Sequence, residues 1–253
     1  MVSCSVKEDR AGCPCYLIFP GSVFSLNGFE GDIALAIRNN TLNLDENPGT
    51  FASSVLTDPS TDIPAKRGNL DISGVGGLKD MTATTETVTI PKGKDCDSLY
   101  AFSTKGLEAR TDVVPVPGDV YKQYASVLIQ MKKATDEPYP FHLRVRSNVC
   151  GMDRFSLAPI EGEFEHEPKS LADGVFTFCL PRQKDSSLEM DILDTAGNLK
   201  DTLPIGEYII NDLKYDWNAI SLADIEMVLD YAHGTLTITV SDWELVEILE
   251  VEI

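Results

Sequence analysis

Apolar residues recur at every second position in segments spread over the whole chain: Ile33, Leu35 and Ile37; Val127, Ile129 and Met131; Phe141, Leu143 and Val145; Leu188, Met190 and Ile192; Leu236, Ile238 and Val240. Successive side chains of a strand point to opposite faces, so each set lines one face of a half-buried strand. Pro91-Lys-Gly93, Asp136-Glu-Pro138 and Thr195-Ala-Gly197 separate such runs with turn-forming residues, at spacings common in antiparallel sandwiches. The pattern predicts an all-β protein and argues against parallel βαβ units. One short helix is expected, opened by Pro204 and carrying Ile205, Ile209 and Leu213 on one stripe, where it covers an end of a sandwich. Residues 39 to 74 are rich in Asn, Asp, Pro, Ser and Thr and read as a long irregular excursion. The donor-poor stretch Val113-Val-Pro-Val-Pro-Gly118 reads as an interdomain linker, which divides the chain near residue 118. With 253 residues, 43% of them hydrophobic, the chain is long enough for one large domain or for two of ordinary size, each with its own core.

Charge and motifs exclude several function classes. The formal net charge of −19, from 40 acidic against 21 basic residues, sets the chain against phosphate backbones, and no nucleic-acid partner is expected. The longest apolar runs, Tyr16 to Phe19 and Ala125 to Ile129, fall far short of the roughly 20 residues of a membrane-spanning helix. No basic n-region and apolar h-region precede the first cysteine, so the chain is expected either to stay inside the cell or to have lost a leader. The three histidines, His142, His166 and His233, stand at no ligand-pair spacing, and His142 is read as a solvent-facing strand residue. The run Glu161-Gly-Glu-Phe-Glu-His-Glu167 is read as a solvated acidic loop, because the ordered ligand spacing of a calcium loop is missing. Gly74-Val-Gly-Gly77 is read as a flexible turn, since neither a dinucleotide fingerprint nor a phosphate loop surrounds it. With no nucleophile elbow either, no enzyme activity, cofactor or metal is expected.

The six cysteines are Cys4, Cys13, Cys15, Cys96, Cys150 and Cys179. Cys13-Pro-Cys15 lacks the spacing of a redox dithiol, and the remaining cysteines are too scattered to complete a zinc site. If Cys4 has a separate task, five remain, so at least one is a free thiol. Cys179, in the apolar run Val175 to Leu180, is expected to be buried and inert. Either Cys13 or Cys15 could meet Cys96 in a disulfide if the first strand runs beside Asp95-Cys-Asp97, and the choice stays open. Met1-Val-Ser-Cys4 resembles the end of a bacterial lipoprotein leader at the cysteine that becomes acylated.

Cys4-Ser-Val-Lys-Glu-Asp-Arg10, followed by Cys13-Pro-Cys-Tyr-Leu17, resembles the start of the mature FimB-like fimbrial anchor and accessory lipoproteins of Bacteroidales, associated with type V pili. Ile90 to Phe102, Tyr121 to Val127, Asn148 to Asp153, Gly162 to Phe164 and Val240 to Trp243 match that family in order and spacing, while residues 20 to 75 match less well. The resemblance implies two tandem transthyretin-like antiparallel β-sandwich domains, over residues 16–117 and 118–253, behind a lipid-anchored tether at 1–15. It implies lipid attachment at Cys4 and a structural, non-enzymatic role at the outer membrane. The implied partners are fimbrial shaft or accessory subunits, docked by β-strand addition. The final segment, with Val246, Ile248, Val251 and Ile253, is either a donated strand or the closing strand of its own domain; its alternation slips at Ile248-Leu249, where a bulge is expected. Two other roles stay open: an accessory or tip adhesin subunit, and a secreted carbohydrate-binding sandwich. The second should show a row of exposed aromatics, whereas only 8% of the residues are aromatic and Trp217 and Trp243 lie in segments that look structural.

Overall fold

The computed structural model describes residues 13–20, 31–41, 51–58, 60–132, 139–230, 233–241 and 246–252. Twenty strands are described. The first half holds β1 (Pro14–Ile18), β2 (Ile33–Asn39), β3 (Phe51–Leu56), β4 (Ile63–Lys66), β5 (Gly68–Gly76), β6 (Thr82–Ala83), β7 (Thr87–Thr89), β8 (Tyr100–Ala109), β9 (Val113–Pro115) and β10 (Tyr121–Lys122). The second half holds β11 (Tyr124–Met131), β12 (Phe141–Asp153), β13 (Pro159–His166), β14 (Lys169–Ala172), β15 (Val175–Pro181), β16 (Glu189–Asp194), β17 (Leu199–Leu203), β18 (Asp224–Asp230), β19 (Thr235–Ser241) and β20 (Val246–Glu252).

Two sandwiches result. In the first, a three-stranded sheet, β4-β1-β9, faces a five-stranded one, β10-β8-β5-β2-β3. Cys15 and Leu17 from the small sheet pack against Ile33, Leu35, Ile37, Leu70, Ile72 and Phe102 from the large one. In the second, β14-β15-β11-β18-β19-β20 faces β17-β16-β12-β7-β6, with β13 also paired to β12. Val127, Ile129 and Met131 meet Leu143, Val145, Met190 and Ile192 across that core, so these residues bury the apolar faces of their strands. The pairing is antiparallel except β1 with β9 and β11 with β18. No described helix is long and apolar enough to cross a membrane.

The two cores share the five-stranded sheet. Ala34, Val75 and Ala101, on the face away from the first core, pack into the second, which is why β5 is buried along seven consecutive residues. The turn after β12 is pressed against that same face. Arg154 is buried there; its Nη1 donates to Thr84 O at 2.7 Å, and its Nη2 to Ala34 O at 2.6 Å and Ser73 O at 3.4 Å. Phe155 O accepts from Ser103 Oγ at 2.6 Å, and the Phe155 ring lies 4.4 Å from the Arg38 guanidinium. One turn thus holds backbone from both sandwiches.

Several expectations change. The excursion over 39 to 74 contains β3, β4 and most of β5. Small and polar residues hid β5 because both its faces are covered, so it shows no alternation. Gly74 lies inside that strand rather than in a flexible turn; a Cβ there would sit 2.1 Å from Phe102 Cε1, so the glycine makes room for the ring. Val113–Pro115 forms a strand of the first sandwich, not a free linker. The last crossing between cores falls between Val120 and Ala125, while Met81, Val88, Ile90, Cys96 and Leu99 already belong to the second core. Glu161 to His166 is a strand, β13, with Phe164 and His166 buried and Glu161 and Glu163 exposed, rather than a loop.

The helix forms after Pro204 as one α turn, α1 (Ile205–Glu207), which widens into a π turn over Tyr208–Asp212. Ile205, Ile209 and Leu213 are all buried. A four-residue spacing overshoots an α turn and undershoots a π turn, so the mixture keeps the three on one stripe. Gly206 N donates to Leu188 O at 2.8 Å, and any Cβ at Gly206 would lie 2.7 Å from Ser186 O. The helix therefore lies against the backbone that leads into β16.

Candidate assembly surface

The chain enters the fold through β1, which is the middle strand of the small sheet. It pairs antiparallel with β4, placing Tyr16 opposite Pro64 and Leu17 opposite Ile63. It pairs parallel with β9, placing Tyr16 beside Val113 and Ile18 beside Pro115. Arg67 ties the entry down: Nε donates to Cys13 O at 3.2 Å, while the rest of the guanidinium holds Arg110 O and the Asp112 carboxylate. Cys15, Leu17, Ile63, Ala65 and Val114 face inward and are buried. The outward positions are Pro14, Tyr16 and Ile18 on β1, Pro64 and Lys66 on β4, and Val113 and Pro115 on β9, all exposed. Tyr16 is 42%, Ile18 36% and Val113 50% exposed, so this face carries solvent-exposed apolar surface with no carboxylate at any outward strand position.

Cys4 lies outside the described residues. Cys13 is exposed, and Cys15 is buried with Sγ 3.4 Å from Ala65 O; burial raises its thiol pKa. Cys96 sits in the other core, where burial pushes its thiol well up. The disulfide expected between Cys13 or Cys15 and Cys96 is absent, because the neighbours of β1 are β4 and β9 rather than the Asp95–Asp97 segment. That segment is held elsewhere: Asp95 Oδ1 accepts from Cys179 N at 2.9 Å, and Asp97 Oδ2 accepts from the backbone N–H of Lys79, Asp80 and Met81 at 2.6, 2.9 and 2.8 Å. All five described cysteines are free thiols. Cys179 is half-buried rather than fully buried, and burial raises its thiol pKa to about 12.

His142 is exposed on β12 and His233 is exposed beside Asp230. His166 is buried, with Nε2 3.9 Å from Asp95 Oδ1; burial lowers the imidazole pKa and raises that of the carboxyl. Among the described residues no group of three His, Cys, Asp or Glu side chains could hold a metal ion. The carboxylates of β13 spread into ion pairs instead, Glu163 with Lys92 at 3.1 Å and Glu161 with Lys184. Together with Arg146, Asn148, Ser187 and Glu189 they line an open cleft of about 760 Å³ on the second sandwich.

The closing segment pairs in its own domain. β20 runs antiparallel to β19 from Ser241 opposite Val246 to Thr235 opposite Glu252. The register is continuous, so the bulge expected at Ile248-Leu249 is not formed: pairing is set by backbone hydrogen bonds, which a slip in side-chain alternation does not interrupt. β20 is the end strand of its sheet, which leaves one backbone edge open among the described residues. Val246, Ile248 and Val251 lie on this strand, and Ile253 is outside the described residues. A single-sequence reading did not find the outward face of the small sheet, because its residues come from three segments up to a hundred positions apart. The alternation of Pro14, Tyr16 and Ile18 was the only local signal.

No protein-family model and no curated protein sequence matches the chain. Solved structures do match. A candidate adhesin from Bacteroides thetaiotaomicron superposes with a TM-score of 0.61 at 15% identity, over 97% of this chain and 100% of that one. The fimbrial anchor protein Mfa2 of Porphyromonas gingivalis gives 0.59 at 11% identity, over 91% and 98%. A candidate polysaccharide-binding protein of Bacteroides thetaiotaomicron gives 0.60 at 11%, over 94% and 98%. The chain therefore has the two-sandwich all-β fold found in fimbrial and adhesin proteins of Bacteroidales, over essentially its whole length. The resemblance read from its cysteines and strand motifs holds at the level of fold.

Proposed function

We propose that this protein is an outer-membrane lipoprotein that anchors or terminates a cell-surface fimbria, tethered by acyl chains on Cys4 and docking a fimbrial subunit by β-strand addition. The observation that carries this reading is the shared fold with a fimbrial anchor over 91% of the chain, in which both sandwiches are matched. The open edge of β20 supports the docking mode: an incoming extended segment gains main-chain hydrogen bonds there, and its alternate side chains set the register. One acyl chain binds a bilayer only marginally, so a stable anchor needs the two or three that lipoprotein processing places on one cysteine. Residues 5 to 12, polar and charged, then act as the tether.

A carbohydrate-binding role has less support. Sugar stacking needs exposed rings, and among the aromatic side chains whose burial is described Tyr16 is the one exposed, while Trp217 is buried against Tyr215 with ring centroids 4.5 Å apart. Trp243 lies outside the described residues.

The test is Cys4→Ala, expressed with its native leader and followed by membrane fractionation and immunogold labelling of fimbriae. Loss of the protein from the membrane fraction, with wild-type label at fimbrial bases, is the expected result. Unchanged membrane retention rejects lipid attachment at Cys4, and label along shafts or at distal ends rejects the anchor role.

A further inference from the structure

The outward face of the β4-β1-β9 sheet combines Pro14, Tyr16, Ile18, Pro64, Val113 and Pro115 with one cation, Lys66. In a chain of net charge −19 the outward strand positions of this sheet carry no carboxylate, and the nearest, Asp62 and Asp112, stand just outside β4 and β9. Its two edge strands, β4 and β9, each contain a proline, as β13 does at Pro159, whereas the end strands β3, β6, β10, β14, β17 and β20 contain none. Proline removes a backbone donor and makes a poor template for strand pairing, so this small sheet is built against edge-on addition while its flat apolar side stays open.

We infer that this face seats on the lipid bilayer. The inference rests on the anchor reading for where the membrane lies: Cys13, at the start of β1, follows Cys4 by nine residues, and nine residues span at most roughly 30 Å even when fully extended. A cysteine acylated at position 4 thus confines this sheet to the immediate neighbourhood of the bilayer. Confinement turns a weak contact into an intramolecular one with a high effective concentration. The side chains suit that contact. Tyrosine is favoured at the membrane interface, where its ring is shielded and its hydroxyl stays wet. Lys66 can lay its stem along the apolar surface with the ammonium toward the headgroups.

The test has two arms. In the first, the full chain produced without a leader, hence unacylated, is floated with neutral phosphatidylcholine–phosphatidylethanolamine vesicles at millimolar lipid. Wild type co-floats weakly, and the double variant Tyr16→Ser/Val113→Ser, checked for an unchanged thermal transition, co-floats about tenfold less. Equal flotation of the two, or none by wild type, overturns the inference. In the second, the acylated protein in the same vesicles is compared with the unacylated chain in solution by hydroxyl-radical footprinting. Protection of Tyr16, Ile18 and Val113 by the vesicles alone is expected; protection only on self-association or on adding a fimbrial subunit assigns the face to that partner and overturns the inference. Absence of acylation on Cys4 in cells rejects the anchor reading and is scored separately from the first arm, whereas acylation with an unprotected face rejects only the seating.

Discussion

Asp97 organises the junction of Lys79 to Met81 with the second core. Its Oδ2 collects three consecutive backbone N–H groups, and the side chain is almost fully buried. Hydrogen bonds to a charged acceptor are among the stronger ones, and removing the acceptor leaves the buried Met81 N–H without its partner. Asp97→Ala is expected to lower the unfolding free energy by about 2–4 kcal/mol, read from equilibrium urea denaturation. Nothing in Asp95-Cys-Asp97 announces this: read locally, the triplet is a polar strand fragment. Gly74 is a similar case, since its place in β5 is intelligible only once Phe102 is seen to occupy the space of a side chain.

At the scale of elements, β12, β16 and β17 are joined by a buried carboxylate. Asp191 on β16 accepts from Arg144 and Arg146 on β12, at 2.7 to 3.0 Å, and from Thr202 Oγ1 on β17 at 2.8 Å. Burial alone would raise its pKa, but the two guanidiniums and the hydroxyl overcome burial and hold it below the ordinary carboxylate value. A carboxylate whose folded pKa is depressed contributes stability that is complete above its unfolded pKa, near 4, and is lost as pH falls through the folded value. Asp191→Asn is therefore expected to cost about 3–5 kcal/mol at pH 7 and to flatten the decline in stability between pH 5 and pH 2, measured by denaturant melts across that range. The strands themselves were legible, because Leu143 and Val145 on β12 and Leu188, Met190 and Ile192 leading through β16 recur at every second position, but the cross-strand ion cluster was not. Arg144, Arg146 and Asp191 are 45 and 47 residues apart, and only the register of β12 with β16 brings them together.

For the molecule as a whole, the decisive contact is the Asp153–Ala158 turn set into the face shared by the two sandwiches. Burial pushes the Arg154 pKa down to about 10, which leaves it a cation at neutral pH, hydrogen-bonded to carbonyl oxygens from both sides of the junction. Arg154→Ala removes the guanidinium bonds to Thr84, Ala34 and Ser73 that link the two sides. It is expected to lower overall stability by about 2–4 kcal/mol and to split a single calorimetric transition into two, as the sandwiches lose their coupling. A single unshifted transition would show that apolar packing of Val75 and Ala101 suffices to join them.

Alternation of apolar residues and turn chemistry determined, from the sequence alone, that this protein is all-β and carries two cores and one short helix. These properties depend on neighbours two to four positions apart, which a linear reading can compare. Tertiary structure decided the rest. It made β5 a strand despite its glycines, turned Val113–Pro115 from linker into sheet, kept Cys15 and Cys96 in separate cores, and assembled one apolar face from Tyr16, Pro64 and Val113. Each of these depends on which distant backbone lies alongside, and strand pairing over fifty to a hundred residues is set by the burial of whole faces rather than by any local pattern.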